Sequence, residues 1–157
     1  MGQISGNAQS TSMSSPHSVV VVDGNSRDRT STVTLLEAAG YRVRSARSFD
    51  EAKTLLAAEC PDLLITDLRL GQYNGLHLVL RTRNTYPEMA ALVTSRKADP
   101  VLEAEAARQH AQFVLSPLTA TQLLQAVASS LGSARLKPAA ADEGIKPVKT
   151  PISQELC

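Results

Sequence analysis

Close to the start of its apolar region the chain reads Val19-Val20-Val21-Val22. An uninterrupted run of β-branched residues suits a strand that is buried on both faces, because a strand with one wet face alternates apolar and polar side chains. Strands of this kind are typical of parallel sheets, whose crossover connections cover both sides of the sheet. The run therefore predicts an inner strand of a parallel sheet.

A helix is predicted directly after this strand, over residues 26–39. Its apolar positions, which include Val33 and Leu36, recur at helical spacing. Ser26 is a suitable N-cap and Gly40 a suitable end, since serine caps helices and glycine tolerates the left-handed conformation that follows them. The first unit of the fold is thus a strand followed by a helix.

The same alternation continues outward along the chain. Further strands are predicted at residues 41–46, 63–66, 91–94 and 113–115, and further helices at residues 49–58, 76–86, 100–109 and 119–131. Strict alternation in so short a chain favours one open parallel sheet with helices on both faces. Because crossovers in such sheets are right-handed, we expect an α/β fold of the flavodoxin-like (βα)5 type with strand order 2-1-3-4-5.

The segments that flank this region have a different composition. Residues 1–17 are rich in Ser, Gly, Thr and Asn without an apolar period, and residues 133–157 contain Pro138, Pro147 and Pro151. Segments of this composition bury too little apolar surface to offset the entropy of ordering. The sequence therefore predicts a single domain over residues 18–132 between two disordered tails.

The charge balance gives no general attraction to polyanions. The chain has 16 Lys and Arg residues against 15 Asp and Glu residues, a net charge of +1. It also has no apolar run near the roughly 18 residues that a membrane span requires, and its polar N-terminus does not resemble a secretory signal. We therefore expect a cytoplasmic protein that binds neither nucleic acid nor membrane.

Polar side chains follow the predicted strands at one edge of the sheet. Asp23 follows the first strand, Asp67 the third, and Thr94 ends the fourth. This edge is where ligands bind in open α/β sheets, near the point at which strand order reverses. Two carboxylates held close together repel each other unless a cation lies between them, and Mg²⁺ is the usual choice. An Asp beside such an ion can attack a phosphoryl donor and form an aspartyl phosphate.

The chain resembles the receiver domains of bacterial response regulators, the CheY-like superfamily, in the segment PDLLITDLRL at residues 61–70 and in the pair Asn74-Gly75. The matching features are an Asp that ends the third strand and a Gly eight residues later that opens the next helix. The resemblance extends over most of the chain, about residues 19–131.

The resemblance implies a role for each residue of the site. Asp67 is the phosphoacceptor, and Mg²⁺ is held by Asp23, Asp67 and the backbone carbonyl of Arg69. Thr94 is the switch hydroxyl that contacts the phosphoryl group, and Phe113 is the switch aromatic that responds to it. An ordinary strand-end threonine and an ordinary core aromatic remain the alternatives for these last two positions.

Two positions depart from the family pattern. Gly24 stands where receivers have a second acidic residue, and Ser116 stands before Pro117 where they have a lysine. Asn25 can offer only a neutral oxygen in place of the missing carboxylate. The pocket thus lacks one anionic metal ligand and the cation that pairs with the phosphoryl group, so we expect weak Mg²⁺ binding and slow phosphoryl transfer.

The leading hypothesis is a stand-alone response-regulator receiver in a two-component phosphorelay, and not an enzyme. A histidine kinase or phosphotransfer protein phosphorylates Asp67, and the fourth-strand to fifth-helix face contacts a downstream protein. The alternative is a pseudo-receiver that acts as a phosphorylation-independent interaction module. A third hypothesis, a phosphatase of the haloacid-dehalogenase type, requires a second Asp two residues after Asp23, where this chain has Asn25.

Overall fold

The protein is represented by a computed structural model that describes residues 16–142, with the backbone alone described for residues 133–142. Of the predicted tails at residues 1–17 and 133–157, residues 1–15 and 143–157 lie outside the described residues. None of the described helices combines the length and apolarity needed to cross a bilayer.

The described sheet that forms the centre of the fold is fully parallel. Its strands are β1 (Ser18–Val22), β2 (Arg42–Ala46), β3 (Leu63–Asp67), β4 (Ala90–Ser95) and β5 (Gln112–Leu115). Their order across the sheet is β2-β1-β3-β4-β5. The predicted flavodoxin-like strand order is confirmed.

A helix follows each of these strands. The helices are α1 (Ser26–Ala38), α2 (Phe49–Ala58), α3 (Gly75–Thr85), α4 (Pro100–Arg108) and α5 (Ala120–Asp142). Asn25, and not Ser26 as predicted, caps α1: its Oδ1 accepts a hydrogen bond from the backbone N–H of Asp28 at 3.0 Å. Gly40, which follows α1, has a positive φ of 99°, as expected for a residue that ends a helix.

The last helix is longer than predicted. α5 continues to Asp142, whereas the sequence pattern placed its end at residue 131. That prediction treated Pro138 as a helix breaker. It underestimated the helix propensity of the alanines around it, at positions 134 and 139–141. Alanine has the highest helix propensity of all residues, and a run of it favours helix even without an apolar face.

The sheet is buried on both sides, as the four valines of β1 predicted. Val20 and Val22 belong to an apolar cluster with residues of α2, α3 and α4, while Val19 and Val21 belong to a second cluster with residues of α1 and α5. All four valines are at most 2% exposed. Strands β1 and β3 therefore have no solvated face, and polar groups can reach water only at the strand ends.

A short hairpin that the sequence did not predict lies between β3 and α3. Arg69–Leu70 pairs in antiparallel fashion with Tyr73–Asn74, and Gly71 begins the connecting turn with a positive φ of 64°. The ring of Tyr73 stacks on that of Phe49 in α2, with centroids 4.6 Å apart. Strands of two residues are too short to produce an alternating pattern, which is why the sequence gave no signal for them.

Gly75 brings the start of α3 against the end of β3. A Cβ at this position would lie 2.3 Å from the carbonyl oxygen of Asp67 and 2.8 Å from Oγ1 of Thr66. The backbone N–H of Gly75 also donates to the carbonyl oxygen of Leu68 at 2.8 Å. The glycine that was expected to open this helix is thus required by close approach to the backbone of Asp67.

We expect Gly75→Ala to lower the free energy of unfolding by about 1–3 kcal/mol, because the new methyl group would overlap rigid backbone. Gly132→Ala in α5 is the matched control, since a Cβ there meets nothing within 4 Å. The control should be neutral or stabilising by up to about 1 kcal/mol, as alanine replaces glycine in a helix. Urea unfolding of the two variants and the wild type makes the comparison, and equal stability of the two variants would contradict the packing account.

Candidate functional site

Two carboxylates lie side by side at the carboxyl edge of the sheet. Asp23 directly follows β1 and Asp67 ends β3, and these strands are neighbours with Val22 in register with Thr66. Both side chains are half-buried. The structure thus brings the two predicted acidic residues into one pocket.

The backbone around Asp23 is held by local hydrogen bonds. The N–H of Asn25 donates to Oδ1 of Asp23 at 2.9 Å, and Nη1 of Arg29 donates to the Asp23 carbonyl oxygen at 2.8 Å. The side-chain oxygen of Asn25 accepts from the N–H of Asp28 as the cap of α1. The side-chain oxygen of Asn25 is therefore hydrogen-bonded to the first turn of α1. This contact argues against the predicted use of that oxygen as a neutral metal ligand.

The pKa values of both carboxyl groups are raised. Burial raises the pKa of Asp67 to about 6 and the negative charge of Asp23 adds to the rise, while the N–H of Leu68, the guanidinium of Arg96 and the N–H of Arg69 oppose it. Burial also raises the pKa of Asp23, against the opposing effect of the Asn25 N–H. The pocket therefore holds more negative charge than its surroundings compensate.

Thr94 lies beside the acidic pair, and Phe113 does not. Thr94 is in register with Asp67, and its carbonyl oxygen accepts from the N–H of Leu68 at 2.8 Å. Phe113 is in register with Val93 and packs, partly buried, against the apolar cluster of α2, α3 and α4. The switch roles assigned to Thr94 and Phe113 stay predictions.

Ser116 belongs to the same edge of the sheet. Its backbone N–H donates to the carbonyl oxygen of Ser95 at 2.8 Å, and its peptide bond to Pro117 is cis. A serine side chain cannot supply the positive charge that a lysine supplies at this position.

Sequence reasoning missed one cation of the site. It assigned no role to Arg96, but the Arg96 guanidinium forms an ion pair with the Asp28 carboxylate in the first turn of α1. Arg96 comes two residues after Thr94, directly beyond the end of β4. The sequence signal that could have identified Arg96 is its position directly beyond a strand end, at the edge of the sheet that holds the site.

The pocket suits a divalent cation only in part. Burial raises the pKa of both carboxyl groups and the charge of Asp23 raises that of Asp67 further, which favours a cation between them. Among the residues described, however, no group of three or more His, Cys, Asp or Glu side chains could hold a metal ion. A third acidic ligand is missing because Gly24 follows Asp23 at the position where receivers have a second acidic residue. Ligation by the Arg69 carbonyl stays a prediction.

Residues 19–128 match the profile of the response regulator receiver domain. The chain belongs to this family. Receivers are modules of two-component systems, and they interact with histidine kinases and effector partners. Receivers generally bind Mg²⁺ at an acidic site.

Curated relatives of this receiver include longer regulatory proteins. The chain is 40% identical over 60 residues to the alginate biosynthesis transcriptional regulatory protein AlgB of Pseudomonas putida, a match that covers 38% of this chain and 13% of AlgB. It is 39% identical over 74 residues to AlgB of Pseudomonas aeruginosa, which covers 46% of this chain and 16% of that protein. The matched region is thus a small part of these relatives.

Solved structures share the receiver fold. A CheY-like receiver domain protein from Methanospirillum hungatei aligns with a TM-score of 0.74 at 21% identity, over 78% of this chain and 99% of that one. NtrX from Brucella abortus aligns with a TM-score of 0.74 at 24% identity, over 81% of this chain and 29% of that one. At this identity the similarity concerns the fold alone.

We expect Asp67→Asn to raise the free energy of unfolding of the metal-free protein at pH 7.5 by on the order of 1 kcal/mol, after allowance for solvent screening. Because the folded-state pKa of Asp67 is about 6 and its ordinary value is 3.8, ionisation opposes folding. The gain should therefore be complete above about pH 6 and vanish as the pH falls towards 4.

Urea unfolding in EDTA at several pH values measures this gain. Asp50→Asn removes the same charge from an exposed carboxyl group whose side chain is 79% accessible, and serves as the control. A gain in both variants, or one that persists at pH 4, would contradict the view that Asp67 is destabilised by its pocket.

Proposed function

We propose that this receiver accepts a phosphoryl group on Asp67 and signals through contacts with proteins. The observation that supports this most directly is the position of Asp67 at the end of β3, half-buried beside Asp23 and in register with Thr94. A carboxylate that is poorly compensated by its neighbours gains from reaction with an electrophile or from a bound cation.

The proposed reaction transfers the phosphoryl group of a phosphohistidine, presented by a histidine kinase or phosphotransfer protein. An Oδ atom of ionised Asp67 attacks the phosphorus and forms the new P–O bond as the P–N bond breaks. The imidazole leaves with the electron pair of that bond and takes up a proton. With a pKa of about 6, Asp67 is largely in its nucleophilic form at neutral pH.

Mg²⁺ is the proposed cofactor, held by Asp23, Asp67 and the backbone carbonyl of Arg69. When bound, it neutralises the carboxylates and the oxygens of the incoming phosphoryl group. We propose that binding is weak, because Gly24 supplies no carboxylate and the oxygen of Asn25 caps α1. The protein acts here as a stoichiometric phosphoacceptor and switch, and not as an enzyme.

The second candidate is a pseudo-receiver that binds its partner without phosphorylation. Gly24 and Ser116 favour it, because both substitutions remove charge that assists phosphoryl transfer. The phosphatase hypothesis gains no support, since Asn25 stands where the second acid is needed and serves as a helix cap. Phosphorylation of Asp67 is what separates the two receiver hypotheses.

We propose that a downstream protein binds the face from β4 to α5. Two large apolar side chains on this side are exposed: Val101 in α4 at 73% and Leu115 in β5 at 49%. Exposed apolar residues of this size support a protein partner, and the net charge of +1 gives no reason to expect nucleic acid or an anionic membrane. We propose a cytoplasmic location; the stand-alone arrangement stays a prediction.

Incubation with Mg²⁺ and acetyl phosphate, followed by intact mass measurement, tests the proposed phosphorylation. We expect one phosphoryl group per chain in the wild type and none in Asp67→Asn. Asp62→Asn, which alters an acidic residue at the opposite end of β3, is the control and should be labelled like the wild type. Absence of labelling in the folded wild type at any Mg²⁺ concentration would favour the pseudo-receiver.

Gly24→Asp should tighten Mg²⁺ binding by roughly tenfold, because it adds an anionic oxygen ligand. The position can accept a side chain, since the nearest atom to a new Cβ is the Arg47 carbonyl oxygen at 3.7 Å. Calorimetric titration with Mg²⁺ measures the effect, and Gly24→Asn separates the added charge from the added side chain. Equal affinity in Gly24→Asp and wild type would show that Gly24 lies outside the metal pocket.

A further inference from the structure

The ion pair between Arg96 and Asp28 spans the site. Arg96 extends from the end of β4, and Asp28 belongs to the first turn of α1, which follows β1. In the sheet β1 and β4 lie on either side of β3, the strand that ends in Asp67. A side chain that joins the end of β4 to the helix after β1 must therefore pass over the carboxyl end of β3.

The charges of the pocket agree with this path. After burial and the negative charge of Asp23, the guanidinium of Arg96 is among the groups that act on the pKa of Asp67, which it lowers. The same guanidinium lowers the pKa of Asp23, against the larger effect of burial. Arg96 is thus the cation that acts on both carboxylates of the site.

The pair with Asp28 is suited to exchange. The Arg96 side chain is 59% exposed and that of Asp28 is 40% exposed, and an ion pair with this exposure contributes little to stability. A phosphoryl group on Asp67 would offer more negative charge and three acceptor oxygens, which match the planar guanidinium.

The backbone that carries Arg96 is well ordered by hydrogen bonds. Oγ of buried Ser95 donates to the carbonyl oxygen of Lys97 at 2.8 Å and accepts from the Lys97 N–H at 3.2 Å. The carbonyl oxygen of Ser95 accepts from the N–H of Ser116. The loop of Arg96 therefore lies directly beside the serine that replaces the usual lysine.

We propose that Arg96 supplies the positive charge that Ser116 cannot supply, and that Asp28 is its partner only in the unphosphorylated state. On phosphorylation of Asp67, Arg96 leaves Asp28 and binds the phosphoryl oxygens. The exchange breaks the link between the loop after β4 and helix α1, so the phosphorylation state is transmitted to α1. The proposal rests on the proposed phosphorylation of Asp67.

The test compares the rate of labelling by acetyl phosphate in full-length variants, with the melting temperature of each as a check on folding. Arg96→Gln should slow labelling by about tenfold, and Arg96→Lys should recover part of the loss, because it keeps the charge. Lys97→Gln, which removes the neighbouring exposed cation, should leave the rate unchanged. Asp28→Asn should raise the rate about two- to threefold, since it frees Arg96 from its competing partner.

A compensating variant separates a charge role from a purely structural one. Ser116→Lys should restore labelling in Arg96→Gln to near the wild-type rate, because it places a cation at the same edge from β5. A loss of structure at position 96 would not be repaired by a new charge at position 116.

A second readout follows the exchange itself. In the wild type with Mg²⁺, beryllofluoride, a phosphoryl mimic, should shift the guanidinium NMR signal of Arg96, and in Asp28→Asn that signal should begin nearer to its bound position. Labelling of Arg96→Gln at the wild-type rate would overturn this inference and leave the proposed function standing. Failure of the wild type to be labelled would overturn the proposed function and this inference with it.

Discussion

The parallel pairing of β1 with β3 is the constraint on which the site depends. Both strands are buried on both faces, so polar groups reach water only at the strand ends, and register places Asp23 beside Asp67 at the carboxyl edge. The free energy of burying these apolar strands, about 25 cal/mol per Å² of apolar surface, holds together two carboxylates that repel each other. The pKa of Asp67 is raised first by burial and then by the negative charge of Asp23. Reactivity at this edge is thus a consequence of packing elsewhere.

The segment after β3 is shaped by the same constraint. Gly75 allows α3 to begin against the backbone of Asp67, and the hairpin that precedes it is fastened to α2 by the stacking of Tyr73 on Phe49. The backbone of Arg69 lies in that hairpin, one residue beyond Leu68, whose N–H is bonded to β4. Gly75 and these short-range contacts therefore hold the backbone of Asp67 in place.

Much of this was predictable because it follows from long apolar patterns. Two-sided burial of Val19 to Val22 indicated a parallel sheet, and the sheet in turn indicated that Asp23, Asp67 and Thr94 share an edge. Predictions failed where the deciding interaction was local or between distant side chains. Asn25 and Ser26 are both suitable caps, and the backbone conformation at Asn25, with φ −85° and ψ 115°, decides between them. No spacing rule relates Arg96 to Asp28, which become neighbours only because β1 and β4 flank β3.

The two departures from the family pattern change two different charges of the site. Gly24 lowers the negative charge available to a metal, and Ser116 removes a positive charge available to the phosphoryl group. Without a compensating group, these two losses would leave Asp23 and Asp67 repelling each other in the resting pocket. Little would then stabilise the phosphorylated state. Arg96 changes this balance, because its charge acts on both carboxylates while its resting contact with Asp28 is exposed and weak. In the proposed exchange, Arg96 is bound to Asp28 of helix α1 before phosphorylation and to the phosphoryl group afterwards. The ion pair is then the element that switches between two states. On this view an arginine shared with α1, in place of a lysine in the pocket, adds that helix to the elements that respond to phosphorylation, beside the face from β4 to α5 that is proposed to bind the partner.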